Sequence, residues 1–347
     1  MNAKLRLLYV GNALSKHGYT PTSIETLSEQ LREDYEVTIV SNQKNQLLRL
    51  FDMLLGVVRH RKQVDCILID TYSTKSFYYT LMVSQLARLF KMPYFTYLHG
   101  GDLPKRLDRT PFIASLIFNN SVDNIAPSQY MREAFKKHNY SVQFIPNNID
   151  LSLYTNKKRA KLQPRFLYVR SFSSVYNPQM AIKAFSKLKE KFPEATMCMV
   201  GPDKDGTLEK CREFASILGL KDSIEFPGKM QKQEWLALSS GYDIFINPTN
   251  FDNQPVSIIE AMALGFPIIS TNVGGLPFLI EDGVDGILVD KNDDNAMYEK
   301  MMTLLQDEKT AQMLSENARK KAESFDWKNV QKLWKNILDG VEKKNVL

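Results

Sequence analysis

The sequence predicts an α/β fold made of two Rossmann-like domains, each with a doubly wound parallel sheet. Its length of 347 residues suits about two domains. Short apolar runs alternate with longer amphipathic segments along the whole chain, which is typical of βαβ units. The clearest unit spans residues 243–275, where a strand, a polar loop, a helix, a glycine stop and a second strand follow one another. We therefore expect a parallel sheet in each half of the chain.

The first predicted domain, residues 1–158, contains six strands and at least four helices. Each strand is a short apolar run, as expected for a parallel strand that is buried on both faces. The strands are predicted at residues 5–10, 37–41, 66–70, 93–99, 124–127 and 143–146. The helices are predicted at residues 22–31, 46–61 and 76–90, and a fourth begins after Ser128, a favourable N-cap residue. The polar, lysine-rich segment 151–163 is interpreted as the interdomain linker.

The second predicted domain, residues 159–324, repeats this architecture without repeating the sequence. Its strands are predicted at residues 166–170, 196–200, 223–226, 243–247, 267–270 and 286–289. Its helices are predicted at residues 178–192, 233–240, 255–264 and within 295–322, with a short helix after Gly275. The segment 325–347 is predicted to form a last helix that contains Trp327.

Two carboxylates frame the polar loop of the unit at residues 243–275. Asp252 lies in the loop, and Glu260 lies eight residues later in the helix. Ligands of open parallel sheets bind beyond the carboxyl ends of the strands, where this loop is expected. The backbone amides from Asn253 to Ser257 would point outward from a helix N-terminus and favour an anion. Because each carboxylate can accept hydrogen bonds from vicinal hydroxyls, the pattern suits a nucleotide sugar.

This stretch resembles the nucleotide-sugar motif of retaining GT-B glycosyltransferases, especially family 4. The family pattern has an acid, seven residues and then Glu, with Pro at the fourth place and an "EAMA-G-P" string. Here the pattern is Asp252, Pro255 and Glu260, followed by the remainder of the string up to Pro267. One departure is Asp252, where the family most often has Glu. The resemblance covers nearly the whole chain and is most specific at residues 243–290.

The resemblance implies a GT-B architecture, in which two Rossmann-like domains face a cleft and the last helix crosses back to the first domain. It also implies donor-binding residues, mostly in the second domain: Gly18, Arg170, Lys229, Met230, Asn253, Gln254, Val256, Ser257 and Glu260. His99, at the carboxyl end of a strand before two glycines, and Asp252 are the implied catalytic residues. The family places a lysine about five residues after Arg170, but here that place, near Val175 and Tyr176, has none.

Acceptor-binding residues are predicted in the first domain. His17 lies in a glycine-containing loop, and Asp102, Lys105 and Arg106 lie in a segment that is interpreted as a basic loop. Plain solvation of these polar side chains is the alternative. The implied acceptor is a saccharide or a lipid-linked saccharide.

Charge is unevenly distributed and suggests an anionic partner for the first half, such as a membrane surface, a phosphorylated acceptor or nucleic acid. A generally basic, solvated face is the alternative. Residues 1–158 contain 20 lysines and arginines against 13 aspartates and glutamates, a net charge of +7, whereas the remainder contains 25 against 26. The apolar helix at residues 46–61 is bordered by Arg49, Arg59, Arg61 and Lys62. Such a helix can lie in a membrane interface, although it can equally pack on the sheet. We predict an anionic membrane surface as a partner and no nucleic acid.

Cysteine usage and hydropathy predict a cytoplasmic protein that attaches reversibly to the inner face of the membrane. The three cysteines include no CxxC pair, and Cys66 and Cys198 fall in apolar strands. They are interpreted as buried thiols in a reducing compartment. The N-terminal apolar run is too short for a signal peptide, and no run of about 18 apolar residues is present.

The predicted function is a retaining glycosyltransferase that moves a sugar from a nucleotide-diphosphate sugar to its acceptor, in cell-surface polysaccharide synthesis. No metal or other cofactor is expected, since the acidic triplet at residues 203–205 follows a strand as a polar turn. Two alternatives stay open. One is a GT-B nucleotide-sugar epimerase, which would need additional carboxylates near the sugar. The other is a non-catalytic binding subunit, which the absent lysine and the change to Asp252 would favour.

Overall fold

The computed structural model describes residues 4–18, 21–159 and 161–344. The chain divides into two compact units, each with one parallel sheet. The first unit comprises Met1–Pro146 and Val330–Leu347, and the second unit comprises Asn147–Asn329. The α/β class with two doubly wound sheets, which the sequence predicts, is thereby confirmed.

The first unit has a six-stranded parallel sheet in the order β2-β1-β3-β4-β5-β6. Its strands are β1 (Arg6–Val10), β2 (Glu36–Val40), β3 (Cys66–Thr71), β4 (Tyr94–Leu98), β5 (Asn124–Ala126) and β6 (Gln143–Phe144). Every residue of β3 and β4 is buried, which explains why these strands are continuous apolar runs. The order of the strands reverses at β1 and β3, so the carboxyl ends of these two strands form the switch point of this sheet.

Six helices precede the end of the first sheet. They are α1 (Ser23–Leu31), α2 (Gln46–His60), α3 (Phe77–Leu89), α4 (Leu103–Arg109), α5 (Pro111–Phe118) and α6 (Gln129–Lys137). Helices α4 and α5 were not predicted from the sequence, and the prediction that Lys105 and Arg106 lie in a loop is wrong. Proline stands in the first turn of each of these helices, and Leu103 and Leu107 bury the inner face of α4. The basic side chains of this segment therefore project from a helix.

The second unit has a six-stranded parallel sheet in the order β12-β11-β10-β7-β8-β9. Its strands are β7 (Arg165–Val169), β8 (Thr196–Val200), β9 (Ile224–Gly228), β10 (Ile244–Asn247), β11 (Ile268–Thr271) and β12 (Ile287–Val289). Its helices are α7 (Pro178–Lys189), α8 (Thr207–Ile217), α9 (Lys232–Ser239), α10 (Val256–Ala263), α11 (Leu276–Leu279), α12 (Asp294–Gln306) and α13 (Glu308–Ala322). The order reverses between β7 and β10, so a ligand site is expected beyond these two strands.

The segment predicted as a linker belongs to the second unit, which begins at Asn147 instead of residue 159. The Ile149 amide donates to the Phe325 carbonyl at 3.0 Å. The Lys157 ammonium pairs with Asp243 at 3.0 Å. Polar, lysine-rich composition is typical of a linker, but the Lys157–Asp243 pair holds this segment beside the start of β10, and the Ile149 bond holds the residues just before it against Phe325.

The last helix, α14 (Trp327–Lys344), joins the first unit from Val330 onward. Trp334 is only 1% exposed, and its ring meets the ring of Tyr97 edge to face at 5.3 Å. The Tyr35 hydroxyl donates to Asp339 at 2.7 Å. This helix therefore completes the core of the first unit beside β4.

All three cysteines are buried and free of disulfide bonds, as predicted. Burial raises the pKa of the Cys66 thiol to about 12 and that of Cys198 to about 11. Across the part of the chain that the structure describes, no helix combines the length and apolar character that crossing a bilayer requires.

Candidate functional site

An ion pair marks the switch point of the second sheet. Arg170 directly follows β7, and Asp252 lies in the loop that follows β10. One guanidinium nitrogen of Arg170, Nη2, donates to Asp252 Oδ2 at 2.5 Å. The side chain of Asp252 is only 10% exposed and that of Arg170 is 24% exposed. A charged pair therefore stands at the edge where open parallel sheets bind their ligands.

The charge of Arg170 is supported by more than its carboxylate partner. Burial disfavours that charge, but Asp252 and the phenols of Tyr176 and Tyr168 outweigh it, so the pKa of Arg170 lies above its ordinary value. The guanidinium stacks on the Tyr176 ring, with 4.4 Å between Cζ and the ring centroid. Tyr176 thus occupies the region in which the family resemblance implies a lysine.

Two glycines set the position of the Asp252 loop. The Gly275 amide donates to the Asp252 carbonyl at 2.9 Å. A Cβ atom on Gly275 would lie 1.7 Å from the Asn253 carbonyl oxygen, and one on Gly274 would lie 2.2 Å from the Asp252 carbonyl oxygen. Gly274 also has φ of 56°, which favours glycine. The loop lies so close to the predicted glycine turn that neither Gly274 nor Gly275 has room for a side chain.

Glu260 is held in the second turn of α10 by two partners that the sequence analysis did not find. The Tyr154 hydroxyl and the Lys232 ammonium each lie 2.8 Å from Glu260 Oε1. Burial and the neighbouring Glu260 raise the pKa of Tyr154 above its ordinary range, so this phenol remains a hydrogen-bond donor. Glu260 itself is only 8% exposed. Its carboxylate is therefore fixed in orientation before any ligand binds.

The N-terminus of α10 carries an unused polar group. Pro255 occupies the N-cap position, so no side chain caps the helix there. The Ser257 hydroxyl is buried and has no hydrogen-bond partner among the described residues. An uncapped N-terminus presents amides, and the partial positive charge of the helix dipole, to an anion. Val256 and Ser257 begin this helix at the carboxyl edge of the sheet, and their contact with a diphosphate stays a prediction.

The remaining predicted donor residues have mixed surroundings. Gln254 holds the start of the second unit, because its Oε1 accepts from the Asn147 amide at 2.7 Å. Asn253 is partly buried, and its amide donates to Asp252 Oδ1 at 2.9 Å. Lys229 is exposed directly after β9, whereas Met230 is partly buried against the core. Each residue lies at the carboxyl edge of the sheet, but Gln254 already has a structural partner.

His99 is the central polar group at the carboxyl edge of the first sheet. Its Nε2 lies 2.8 Å from Asp70 Oδ1, and the same oxygen accepts from the Tyr9 hydroxyl at 2.9 Å. Asp70 Oδ2 has no partner among the described residues and lies 2.4 Å from where a Cβ on Gly11 would stand. Burial and Asp70 raise the pKa of Tyr9 well above its ordinary value, so its hydroxyl stays protonated. Asp70 thus orients the imidazole.

Aromatic rings enclose His99 on two sides. The ring of Tyr72 stacks on the imidazole at 5.0 Å, and the ring of Tyr97 meets it edge on at 4.2 Å. Trp334 packs on Tyr97, so the last helix supports the position of the histidine indirectly. His99 is 9% exposed. Its surroundings indicate a rigidly oriented group at the sheet edge. Asp70 was missed in the sequence, although an acid at the end of a wholly apolar strand could have indicated it.

The predicted acceptor residues are only partly brought together. Asp102 and Lys105 pair with each other at 3.0 Å on the surface. Arg106 is partly buried and stacks on the rings of Phe77 and Tyr78, at 4.9 and 5.1 Å from their centroids. His17 is exposed and bonds to the Asn42 carbonyl at 2.9 Å. Gly18 has φ of 84°, which favours glycine, and nothing lies within 4 Å of where a Cβ would stand.

No group of three or more histidine, cysteine or acidic side chains suited to a metal ion occurs among the described residues. In the acidic triplet, the Asp205 carboxylate accepts hydrogen bonds from Ser173, Ser174 and Thr207. These bonds hold its pKa well below the usual range, with the Thr207 hydroxyl as the largest cause. Asp205 therefore organises a turn.

Residues 155–321 match the family model described as "Glycosyl transferases group 1", and the match covers just under half of the chain. It includes Arg170, Asp252 and Glu260. The matched segment therefore contains the site of the second unit from β7 to the helix of Glu260, whereas Tyr154 lies one residue before it.

Curated relatives with assigned activities are distant. A D-inositol 3-phosphate glycosyltransferase of Corynebacterium glutamicum is 26% identical over 253 residues, which are 67% of this chain and 60% of that protein. An N-acetyl-alpha-D-glucosaminyl L-malate synthase of Bacillus anthracis is 28% identical over 246 residues, 65% of this chain and 61% of that protein. The chain thus spans about half to three fifths of the length of the first curated relatives that it matches.

Solved structures share the fold at low sequence identity. HepE of Anabaena, crystallised in complex with UDP and glucose, superimposes with a TM-score of 0.79 at 18% identity, covering 96% of this chain and 99% of HepE. This likeness shows the GT-B fold. The family model, which matches residues 155–321, carries the sequence likeness to glycosyltransferases.

Substituting Gly275 with alanine tests the packing of the Asp252 loop. We expect Gly275→Ala to lower the free energy of unfolding by about 1–3 kcal/mol, because the added methyl group must displace the Asn253 carbonyl. Gly340→Ala is the control, since nothing lies within 4 Å of a Cβ there and the residue is helical; its effect should be neutral or stabilising. Urea unfolding measures both, and equal stabilities would contradict the close approach.

Proposed function

We propose that this protein is a retaining glycosyltransferase that uses a nucleotide-diphosphate sugar as its donor. The observation that carries the proposal is the arrangement at the switch point of the second sheet. There the Arg170–Asp252 ion pair stands at the strand ends, and Glu260 follows eight residues after Asp252 on a helix with an uncapped N-terminus. These groups suit a ligand with an anionic centre and hydroxyls on both sides of it. HepE, with its bound UDP and glucose, supports the choice of ligand class.

In the proposed complex, each group meets one part of the donor. Glu260 accepts hydrogen bonds from the ribose hydroxyls, and Lys229 and Met230 lie along the base. Arg170 and the first amides of α10 bind the diphosphate. Asp252 and Asn253 meet the sugar, which requires that the donor share Asp252 with Arg170. His99 of the first unit acts on the reacting sugar and acceptor, with Asp70 as the residue that positions it.

The proposed transfer retains the anomeric configuration of the sugar. The acceptor hydroxyl oxygen bonds to the anomeric carbon on the face from which the diphosphate leaves. The bond between that carbon and the diphosphate oxygen breaks, and the proton of the acceptor passes to a diphosphate oxygen. Negative charge grows on the leaving group, and Arg170 and the helix amides stabilise it. No metal is invoked in this scheme, and activity after treatment with a chelator tests that expectation.

The proposed acceptor is a saccharide or lipid-linked saccharide, as in the assembly of cell-surface polysaccharides. The two curated relatives are named for smaller acceptors, inositol 3-phosphate and malate, which share hydroxyl groups and negative charge. With the unit boundaries of the structure, the first unit contains 22 lysines and arginines against 14 aspartates and glutamates, a net charge of +8. An anionic acceptor would suit this charge.

The decisive experiment screens UDP-, GDP- and ADP-sugars by thermal shift and follows the best donor with acceptor extracts. A donor present at about 100 times its dissociation constant should stabilise the protein by about 2.7 kcal/mol. Proton NMR of the product then reports whether the anomeric configuration is retained. Sugar conversion without an acceptor would indicate an epimerase. Donor binding without transfer or hydrolysis would indicate a binding subunit, and no binding of any donor would refute the proposal.

Glu260→Gln should weaken donor binding by about 1–3 kcal/mol, because an amide nitrogen would replace one oxygen that faces hydroxyl groups. Calorimetry with the best donor measures the change. Glu225→Gln is the matched control, since Glu225 is exposed on β9. Equal affinities of the Glu260 variant and the wild type would remove Glu260 from the site. The melting temperature of the unliganded variant reports the separate loss of the Lys232 ion pair.

His99→Ala should lower turnover by about 100-fold or more while leaving donor affinity nearly unchanged, because a group that acts on the reacting atoms contributes mainly to the transition state. Turnover and the donor dissociation constant are measured on the same protein. His138→Ala is the control, as this histidine pairs with Asp108 at the surface. A parallel loss of binding and turnover would instead indicate a structural histidine.

The helix α2 supports the proposal that the protein attaches to an anionic membrane surface. Its inner face packs on the first sheet, while Leu47, Leu48 and Phe51 are 79%, 58% and 66% exposed. Arg59 lies on the same helical face as Leu48 and Phe51, eight residues after Phe51. Arg49, which the sequence grouped with these basic residues, is buried and donates to Asn12.

We expect the protein to co-sediment with phosphatidylglycerol vesicles at low salt and much less at high salt or with phosphatidylcholine. Each basic residue near such a surface contributes about 1 kcal/mol, and salt screens it. The paired substitutions Arg59→Glu and Arg61→Glu, and separately Leu48→Glu and Phe51→Glu, should each abolish binding. Ile217→Glu, at an 80% exposed position of the second unit, is the control. Equal binding to both lipids, or none at low salt, would contradict the proposal.

A further inference from the structure

The loop that follows β8 is fastened along the loop that follows β7. The Arg170 amide donates to the Val200 carbonyl at 3.0 Å, and the Phe172 amide donates to the Pro202 carbonyl at 2.8 Å. The Lys204 amide then donates back to the Phe172 carbonyl at 3.0 Å. These bonds continue the pairing of the two strands beyond the sheet edge, so Lys204 is brought beside the segment that contains Arg170.

Two further features fix this arrangement. The Asp205 carboxylate accepts from the Ser173 hydroxyl and from the Ser174 amide, each at 3.0 Å. Gly201 allows the two backbones to approach, because a Cβ there would lie 2.0 Å from the Arg170 carbonyl oxygen. The acidic triplet at residues 203–205, which the sequence predicts as a polar turn, therefore holds its central residue, Lys204, in place.

Lys204 and Arg170 share one aromatic ring. The Lys204 ammonium lies 5.9 Å from the centroid of Tyr176, and the Arg170 guanidinium carbon lies 4.4 Å from the same centroid. Asp252 bonds to Arg170, and Lys204 forms no ion pair with any residue that the structure describes. Arg170 Nε is also buried without a partner in this described part of the chain. Two cations thus stand together with one carboxylate.

The protonation of Lys204 reflects this imbalance. Lys204 keeps an exposed surface, but partial desolvation and the positive charge of Arg170 lower its pKa below the ordinary value, and Asp252 offsets part of that effect. A second negative charge beside Arg170 and Lys204 would favour the protonated form of both side chains. The unused Ser257 hydroxyl and the uncapped N-terminus of α10 are further groups that a phosphate oxygen would satisfy.

We infer that Lys204 binds the diphosphate of the donor together with Arg170 and so supplies the positive charge that the chain lacks near Tyr176. This inference rests on the proposed function and names one more residue of the same site. Lys204 belongs to the loop after β8, whereas the family pattern implies a lysine in the loop after β7. From this neighbouring loop the Lys204 ammonium approaches the Tyr176 ring. The leaving group is thereby met by two cations.

The test compares the full-length wild type with Lys204→Met in calorimetry, using UDP, GDP and ADP and then the matching nucleoside of the best binder. We expect Lys204→Met to weaken binding of the diphosphate on the order of 10- to 100-fold, because a charge-assisted hydrogen bond is lost. Binding of the nucleoside should be unchanged. Lys204→Arg should keep most of the affinity, and Lys221→Met, at an exposed position of the same unit, should keep all of it.

A rescue variant sharpens the test. Combining Lys204→Met with Tyr176→Lys returns a positive charge to the place that the family pattern implies, and it should recover part of the lost affinity for the diphosphate. Unchanged diphosphate binding in Lys204→Met, or equal losses for diphosphate and nucleoside, would overturn the inference while leaving the proposed function intact. A wild type that binds none of the three nucleoside diphosphates would overturn both.

Discussion

The Arg170–Asp252 ion pair is the interaction on which the rest of the second unit's site depends. Partly buried charges are costly to desolvate, so each requires a partner with good geometry. The partner is available because β7 and β10 are neighbours in the sheet, while α7 and α10 pack into separate cores on its two faces. The glycines at 274 and 275, the bonds from Asp205 and the stacking of Tyr176 all serve to keep the two charged loops in that register.

The first unit also has a buried carboxylate at the edge of its sheet, and different residues are its partners. Asp70 ends β3 at the point where the order of the strands reverses, and it is buried with His99 and Tyr9 as its partners. These hydrogen bonds are buried beside the rings of Tyr72 and Tyr97, where a low local dielectric strengthens them. Both units therefore place a carboxylate at the switch point of a parallel sheet, and in both the carboxylate orients a nitrogen-bearing side chain.

The sequence predicts those features of the protein that depend on residues close together in the chain. Each parallel strand is buried on both faces, so its apolar run is a local signal, and the eight-residue spacing of Asp252 and Glu260 is local as well. The pairs are not local: Arg170 and Asp252 are 82 residues apart, and Tyr154 and Glu260 are 106 apart. Lys204 and Lys232 resemble ordinary surface lysines until the sheet order brings them to the site. The helix α4 was missed because its charged residues obscured a short apolar face.

The absent lysine near Tyr176 illustrates why a motif is an incomplete description of an electrostatic site. A leaving diphosphate responds to the field at its oxygens, and that field is set by where cations stand and how well they are desolvated. A lysine on a neighbouring loop can therefore supply the same positive charge, provided that the backbone holds its ammonium near the diphosphate oxygens. The same reasoning applies to Glu260. Its bonds to Tyr154 and Lys232 both use Oε1, so neither uses the acceptor capacity of Oε2. The ammonium and the phenol together fix the orientation of the carboxylate, so a ligand that donates hydroxyl groups meets an acceptor that is already ordered.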